Sequence, residues 1–144
     1  MRTSTRNSAV EIVASLDHLF QLLRRLTPAD GISLTAASTL RRLARDGDHR
    51  LSELAVAERV TQPAMTQLVS RLARDGLVRR GAHPGDGRVV IVSVTDAGRA
   101  VLARRHDERV ARLEELLERL PPADRAAIVA VLPAFDRLTT EGSE

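Results

Sequence analysis

The chain has no cysteine, lysine, tryptophan or tyrosine, and its only aromatic rings are Phe20 and Phe135. Without cysteine, disulfide scaffolds, thiolate metal sites and thiol redox switches are excluded. Single-strand and RNA binders stack bases on aromatic side chains, so the near absence of rings argues against those targets. No apolar run approaches the length of a membrane-spanning helix. The opening residues, MRTSTRNSAVEIV, lack the uninterrupted apolar stretch and small-residue cleavage site of a secretion signal. A cytoplasmic protein with no membrane partner is expected. Nothing in the chain pairs a nucleophile with a base, sets two carboxylates at a cleft or cradles a phosphate in a glycine loop, so no enzyme is expected. His18, His49, His83 and His106 are scattered without ligand spacing, and neither metal nor cofactor is expected.

The missing lysine also explains a misleading number. All 22 basic residues are arginine, the formal net charge is only +3, and yet the isoelectric point is about 11.0. With no Lys, Tyr or Cys, almost nothing titrates between neutrality and the guanidinium, so a small surplus drives the isoelectric point far upward. The distribution of charge says more than its total. Residues 59–88 carry six Arg against two Asp, whereas residues 105–144 carry six Arg against nine acidic residues. The basic excess lies in the middle of the chain.

At 144 residues the chain fits one domain with a modest core. Residues 8–26 place Val10, Val13, Leu16, Leu19, Phe20, Leu23 and Leu26 at helical spacing, and Ile12 and Leu22 widen the stripe beyond one neighbouring face. Thr35 is expected to cap a second helix over 36–46 closed by Gly47, and Ser52 a short third helix ending near Arg59. Thr61 is expected to cap a fourth. There Met65, Leu68, Val69 and Leu72 recur at i, i+3, i+4, i+7, and Gly76 supplies the stop. The opposite face, Gln62, Thr66, Gln67, Ser70, Arg71 and Arg74, holds no carboxylate. Two strand-like runs, LVRRGA and RVVIVSV, then meet through HPGDG, where Gly85 and Gly87 are expected to relieve the turn. Thr95 and Asp96 open a long helix stopped by Pro121-Pro122, and a last helix over about 122–139 is expected to bend at Pro133. There is no internal repeat.

Helix, helix, short turn, capped polar-faced helix and two-stranded hairpin is the order of a winged helix-turn-helix, with the hairpin as its wing. In that packing Ala55 is small where two helices cross, Val60 plugs the turn, and Met65 with Leu68 seats the fourth helix. Linked motifs lie on this frame: LSELAVAERV, then TQPAMTQLVSRLARDGLVRR, then DGRVVIVSVTDAG. Within them L-x-x-D-G-L-V-x-R spans Leu72 to Arg80, D-x-R spans Asp86 to Arg88, and V-T-x-x-G spans Val94 to Gly98. On these residues the chain resembles the MarR family of bacterial transcriptional regulators over essentially its whole length. It departs from the usual helix-turn-helix pattern at Glu58-Arg59, where an apolar residue and then Gly are customary, so Glu58 needs a partner such as a nearby Arg.

The resemblance implies a mainly α fold with a small β-hairpin wing in a single domain. Residues 34–95 would form the DNA-binding lobe, and residues 8–26 and 96–139 the dimerisation helices. It implies a homodimer on a pseudo-palindromic operator in double-stranded DNA. The fourth helix would lie in a major groove with Thr61, Gln62, Pro63, Thr66, Gln67, Ser70 and Arg71 as candidate contacts. The wing would place Arg88 at the adjacent minor groove, with Asp86 orienting the tip or tying it to an Arg of the fourth helix. It further implies a repressor relieved by a small aromatic or anionic ligand, for which His18 and His106 are the candidate binding residues. A ligand-independent regulator or activator stays open. So does a protein-interaction module, since HPGDG also reads as a solvated turn and a polar helix face as a solvent face.

Overall fold

The computed structural model describes residues 2–141, and the side chains from Ser4 onward. Its elements run α1 (Arg2–Leu26), α2 (Leu34–Asp46), β1 (His49–Arg50), α3 (Leu51–Ala57), α4 (Gln62–Arg74), β2 (Val78–His83), β3 (Asp86–Val94), α5 (Asp96–Glu118) and α6 (Pro122–Glu141). The chain divides into two compact units, one formed by Thr27–Asp107 and the other by the helical ends, up to Leu26 and from Glu108 onward. The fold is the mainly helical winged type expected, with a small antiparallel sheet.

In the Thr27–Asp107 unit, the apolar faces of α2, α3 and α4 close on one another and on the sheet. Leu40, Leu43, Leu54, Met65, Val69 and Val92 are fully buried, with Ala36, Ala55, Leu72, Leu77 and Val78 around them. Val60 and Leu68 pack against this cluster from its edge, as their places in the turn and on α4 require. Burial of several large aliphatic side chains at about 1.5–3 kcal/mol each holds the three helices in place. The sheet order is β1-β3-β2, with Arg80 opposite Val92 and Val78 opposite Val94. The short strand β1, pairing His49 with Val92 and Arg50 with Ile91, was not expected. Two residues are too few to show alternation.

Two caps differ from expectation. Ser33, not Thr35, caps α2: its Oγ accepts the Ala36 N–H at 3.1 Å, because Leu34 is already helical and the cap must precede it. Thr35 lies inside the first turn, where its carbonyl accepts the buried Thr39 hydroxyl at 2.9 Å. Arg50, not Ser52, holds the cap position of α3, and its N–H donates to Glu53 Oε2 at 2.9 Å. Pairing of Arg50 with β3 fixes the chain direction there, so the helix begins at the next residue. By contrast Thr61 caps α4 as expected, accepting the Ala64 N–H at 3.3 Å, with Pro63 in the first turn.

The turn between α3 and α4 shows how the Glu58-Arg59 departure is accommodated. Arg59 has φ 53°, the left-handed conformation for which Gly is customary. Its N–H bonds the Val56 carbonyl at 3.1 Å and the Val60 N–H bonds the Ala55 carbonyl at 3.0 Å, so the helix ends in a complete Schellman motif. Glu58, with a side chain 9% exposed, accepts from Arg42 Nε at 3.3 Å. That is the arginine partner its burial demands.

α5 starts where the sheet ends. Thr95 Oγ1 donates to the Gly76 carbonyl at 2.6 Å and accepts the Gly98 N–H at 3.1 Å, tying the end of α4 to the start of α5. A Cβ on Gly98 would stand 2.2 Å from the Leu77 carbonyl oxygen, so only Gly lets the two segments approach this closely. Further along α5, Arg105 is 2% exposed and forms an ion pair with Asp30, in the loop before α2. Burial alone would raise the Asp30 pKa, but the Arg105 guanidinium and the Ile32 N–H outweigh it and hold the carboxyl below its ordinary value.

In the other unit, α1 extends several residues upstream of the expected start, and α6 runs through Pro133 to Glu141. The Arg112 guanidinium reaches the Leu26 carbonyl at 3.5 Å. The apolar stripe of α1 is solvent-facing in the single chain: Val10, Val13, Leu16, Leu19 and Phe20 are all more than two-fifths exposed, as are Ile128, Val129 and Leu132 on α6. No described helix is long and apolar enough to cross a membrane.

Candidate nucleic-acid interface

The site begins with the two faces of α4. Met65, Val69 and Leu72 anchor one face in the core, which turns Gln62, Gln67, Arg71 and Arg74 outward. Thirteen residues give a helix about 20 Å long, a rod of the width the major groove admits. Its first turn has no acidic residue and its last turn carries Arg71 and Arg74. The exposed N-terminal half therefore offers amide donors and acceptors on a face with no negative charge to repel phosphate.

Not every polar group on that face is equally free. The Thr61 hydroxyl oxygen is engaged as the cap, and the Thr66 hydroxyl donates to the Gln62 carbonyl at 2.9 Å, one turn back. Ser70 Oγ accepts from Arg80 Nη1 at 3.2 Å. Gln62 and Gln67 are exposed, and their side-chain amides can pair bidentately with a base edge. Pro63 offers no N–H; it shapes the first turn.

The wing is tighter than the sequence suggested. β2 and β3 run into the supposed loop and leave only Pro84 and Gly85 between them, with a register shift at Ala82/His83. Neither Gly85 nor Gly87 adopts positive φ, so the expectation that both relieve a strained turn is not met. Pro84 presets a negative φ, and the His83 ring closes the turn, its Nδ1 accepting the Gly85 N–H at 3.0 Å. Asp86 Oδ1 accepts the Arg88 backbone N–H at 3.0 Å, a bond within the tip, and no bond from Asp86 to an Arg of α4 is seen among the described residues. The Arg88 side chain is exposed, and no described residue bonds its guanidinium.

The structure thus brings Thr61, Gln62, Pro63, Thr66, Gln67, Ser70 and Arg71 onto one helix and Asp86 and Arg88 onto a stiff ribbon in the same unit. Sequence reasoning missed Arg80, which joins the two elements. The available signal was strand alternation, which sets Arg80 on the face of Val78, toward α4. His18 and His106 are exposed on α1 and α5 and belong to different units. No group of three or more acidic or histidine residues among the described ones is placed to hold a metal ion.

Known proteins carry the same arrangement. The family model described as the MarR family matches residues 32–90, from the start of α2 into the wing. An HTH-type transcriptional regulator of Mycobacterium tuberculosis is 38% identical over 126 residues, covering 88% of this chain and 86% of its own. The HTH-type transcriptional repressor YetL of Bacillus subtilis is 34% identical over 95 residues, 64% of this chain and 57% of its own. Among solved structures, a protein of Pseudomonas aeruginosa PA01 described as a transcriptional regulator superposes with a TM-score of 0.81 at 28% identity, covering 96% of each chain. These relatives are all described as transcriptional regulators or repressors. The family model and the relatives agree with the winged fold: the chain belongs to the MarR family and is a DNA-binding transcriptional regulator of the helix-turn-helix type.

Proposed function

We propose that the chain acts as a homodimeric repressor, each subunit inserting α4 into a major groove of a pseudo-palindromic duplex and reaching the neighbouring minor groove with Arg88. The observation that carries this reading is the exposed, carboxylate-free face of α4 beside a wing tip that presents an unpaired guanidinium. Gln62 and Gln67 read base edges, while Arg71 and Arg88 meet phosphate and the narrow groove. The exposed stripes of α1 and α6 support the dimer, since apolar area on that scale is normally covered by a partner. The name of the relative YetL supports repression. The resemblance to the family supports relief by a small aromatic or anionic ligand.

Titration of duplex DNA with full-length variants tests the reading. Gln67→Ala is expected to weaken the preferred duplex by about 1–3 kcal/mol and mixed-sequence DNA hardly at all. Arg88→Ala is expected to weaken both, to lessen any preference for flanking A·T pairs, and to leave the thermal midpoint in place. Adding benzoate, as a simple aromatic anion, is expected to release the duplex from the parent protein. Equal losses on both duplexes for Gln67→Ala would reassign that residue to the backbone. Full affinity in Arg88→Ala would remove the wing from the interface.

A further inference from the structure

Two neighbouring grooves of a DNA duplex are separated by one sugar-phosphate strand. A protein that fills a major groove with a helix and the adjacent minor groove with a wing must straddle that strand, and whatever lies between helix and wing faces its phosphates. In this protein the residue between them is Arg80. It belongs to the wing by its backbone, on β2 opposite the buried Val92. It belongs to α4 by its guanidinium, which donates to Ser70 Oγ.

We propose that Arg80 is a phosphate clamp, held by Ser70 so that its remaining N–H groups grip the backbone strand between the two occupied grooves. This rests on the groove assignment of the proposed function. Its chemistry comes from the residue itself. A mere brace between strand and helix needs one neutral hydrogen bond, whereas a guanidinium carries five donors and a permanent charge, of which the bond to Ser70 uses one donor and no charge. Three other arginines are held by carboxylates, Arg42 by Glu58, Arg45 by Asp46 and Arg105 by Asp30, while Arg99, like Arg80, is held by a neutral oxygen, the Ala44 carbonyl. Arg80 is exposed, and no described carboxylate pairs with it. Arg71 and Arg74 on the last turns of α4 extend the same positive strip. A planar fork held at one edge suits the non-bridging oxygens of a phosphate. The assignment also changes the reading of Ser70, whose hydroxyl oxygen seats Arg80.

Anisotropy titrations of the full-length protein across a series of potassium chloride concentrations test this, using a mixed-sequence duplex and the duplex preferred in random-pool selection. Arg80→Gln keeps a side chain able to bond Ser70 and removes the charge. It is expected to weaken both duplexes alike, about tenfold at low salt, and to lower the slope of log K against log salt by about 1 per subunit. The thermal midpoint should stay in place. Arg80→Lys should keep the parent slope and recover part of the affinity. Ser70→Ala should cost a few-fold on both duplexes with the slope preserved, because the charge remains but is less well aimed. An unchanged slope in Arg80→Gln, or a loss confined to the preferred duplex, overturns the proposal while leaving the groove assignment standing. A parent protein that binds neither duplex overturns both.

Discussion

Arg59 and Asp30 show what single residues decide in this fold. An L-residue in the left-handed region costs about 1–2 kcal/mol, and Gly at the same place avoids that cost while adding about 0.5–1 kcal/mol of unfolded-state freedom. Arg59, at φ 53°, is the only non-glycine with positive φ among the described residues. Arg59→Gly should therefore raise stability by about 0.5–1 kcal/mol in denaturant unfolding, and Arg59→Val, β-branched, should lower it. A destabilised Gly variant would show that the Arg59 side chain holds the turn. Asp30 acts through Arg105, whose guanidinium is almost fully buried while the carboxylate keeps 21% of its exposure. Removing one partner of a fully buried pair costs about 3–5 kcal/mol, and the solvent at Asp30 reduces this, so Asp30→Asn should cost about 2–4 kcal/mol at neutral pH. Because the folded pKa is depressed, the contribution is complete above the unfolded carboxylate value and is lost as pH falls through the folded one. Parent and variant should converge in stability on acidification from pH 5 toward pH 2. A gap unchanged across that range, or none at pH 7, contradicts the assignment.

At the scale of elements, what the sequence revealed depended on how many residues carried each signal. The four apolar residues of α4 at i, i+3, i+4 and i+7, its Thr61 cap and its Gly76 stop all agree, and the helix lies where they put it. Hence the polar face of α4 could be read from spacing, whereas Thr61 and Pro63 are candidate contacts only through the family resemblance. Caps that compete within two residues could not be separated by residue type alone. Ser33 and Thr35 are both good caps, and only the helical state of Leu34 selects between them. β1 owes its existence to pairing with β3, a contact between residues some forty positions apart that no local pattern encodes. The wing tip was misjudged in the other direction. Glycines around a turn suggest positive φ, yet Pro84 and the His83 ring make the reversal with two residues at ordinary angles. Arg80 was passed over because, in a run of two arginines, only the pleat of the strand shows which one turns toward α4.

For the molecule as a whole, the winged unit and the helical ends differ in what they leave exposed. The winged unit has a closed core of its own and an outer surface of amides and arginines. The helical ends leave a long apolar stripe in water, which is the physical case for a second copy of the chain. In the proposed dimer, two-fold symmetry would dictate the target: two half-sites related by a dyad and separated by one helical turn, about 10 base pairs. Selection of bound duplexes from a random pool by the full-length protein measures sequence preference, symmetry and spacing together. The expected result is an enriched inverted repeat with half-site centres about 10 base pairs apart, flanked by A·T pairs where Arg88 reaches. Enrichment of a single asymmetric half-site, or no enrichment over the starting pool, would contradict it.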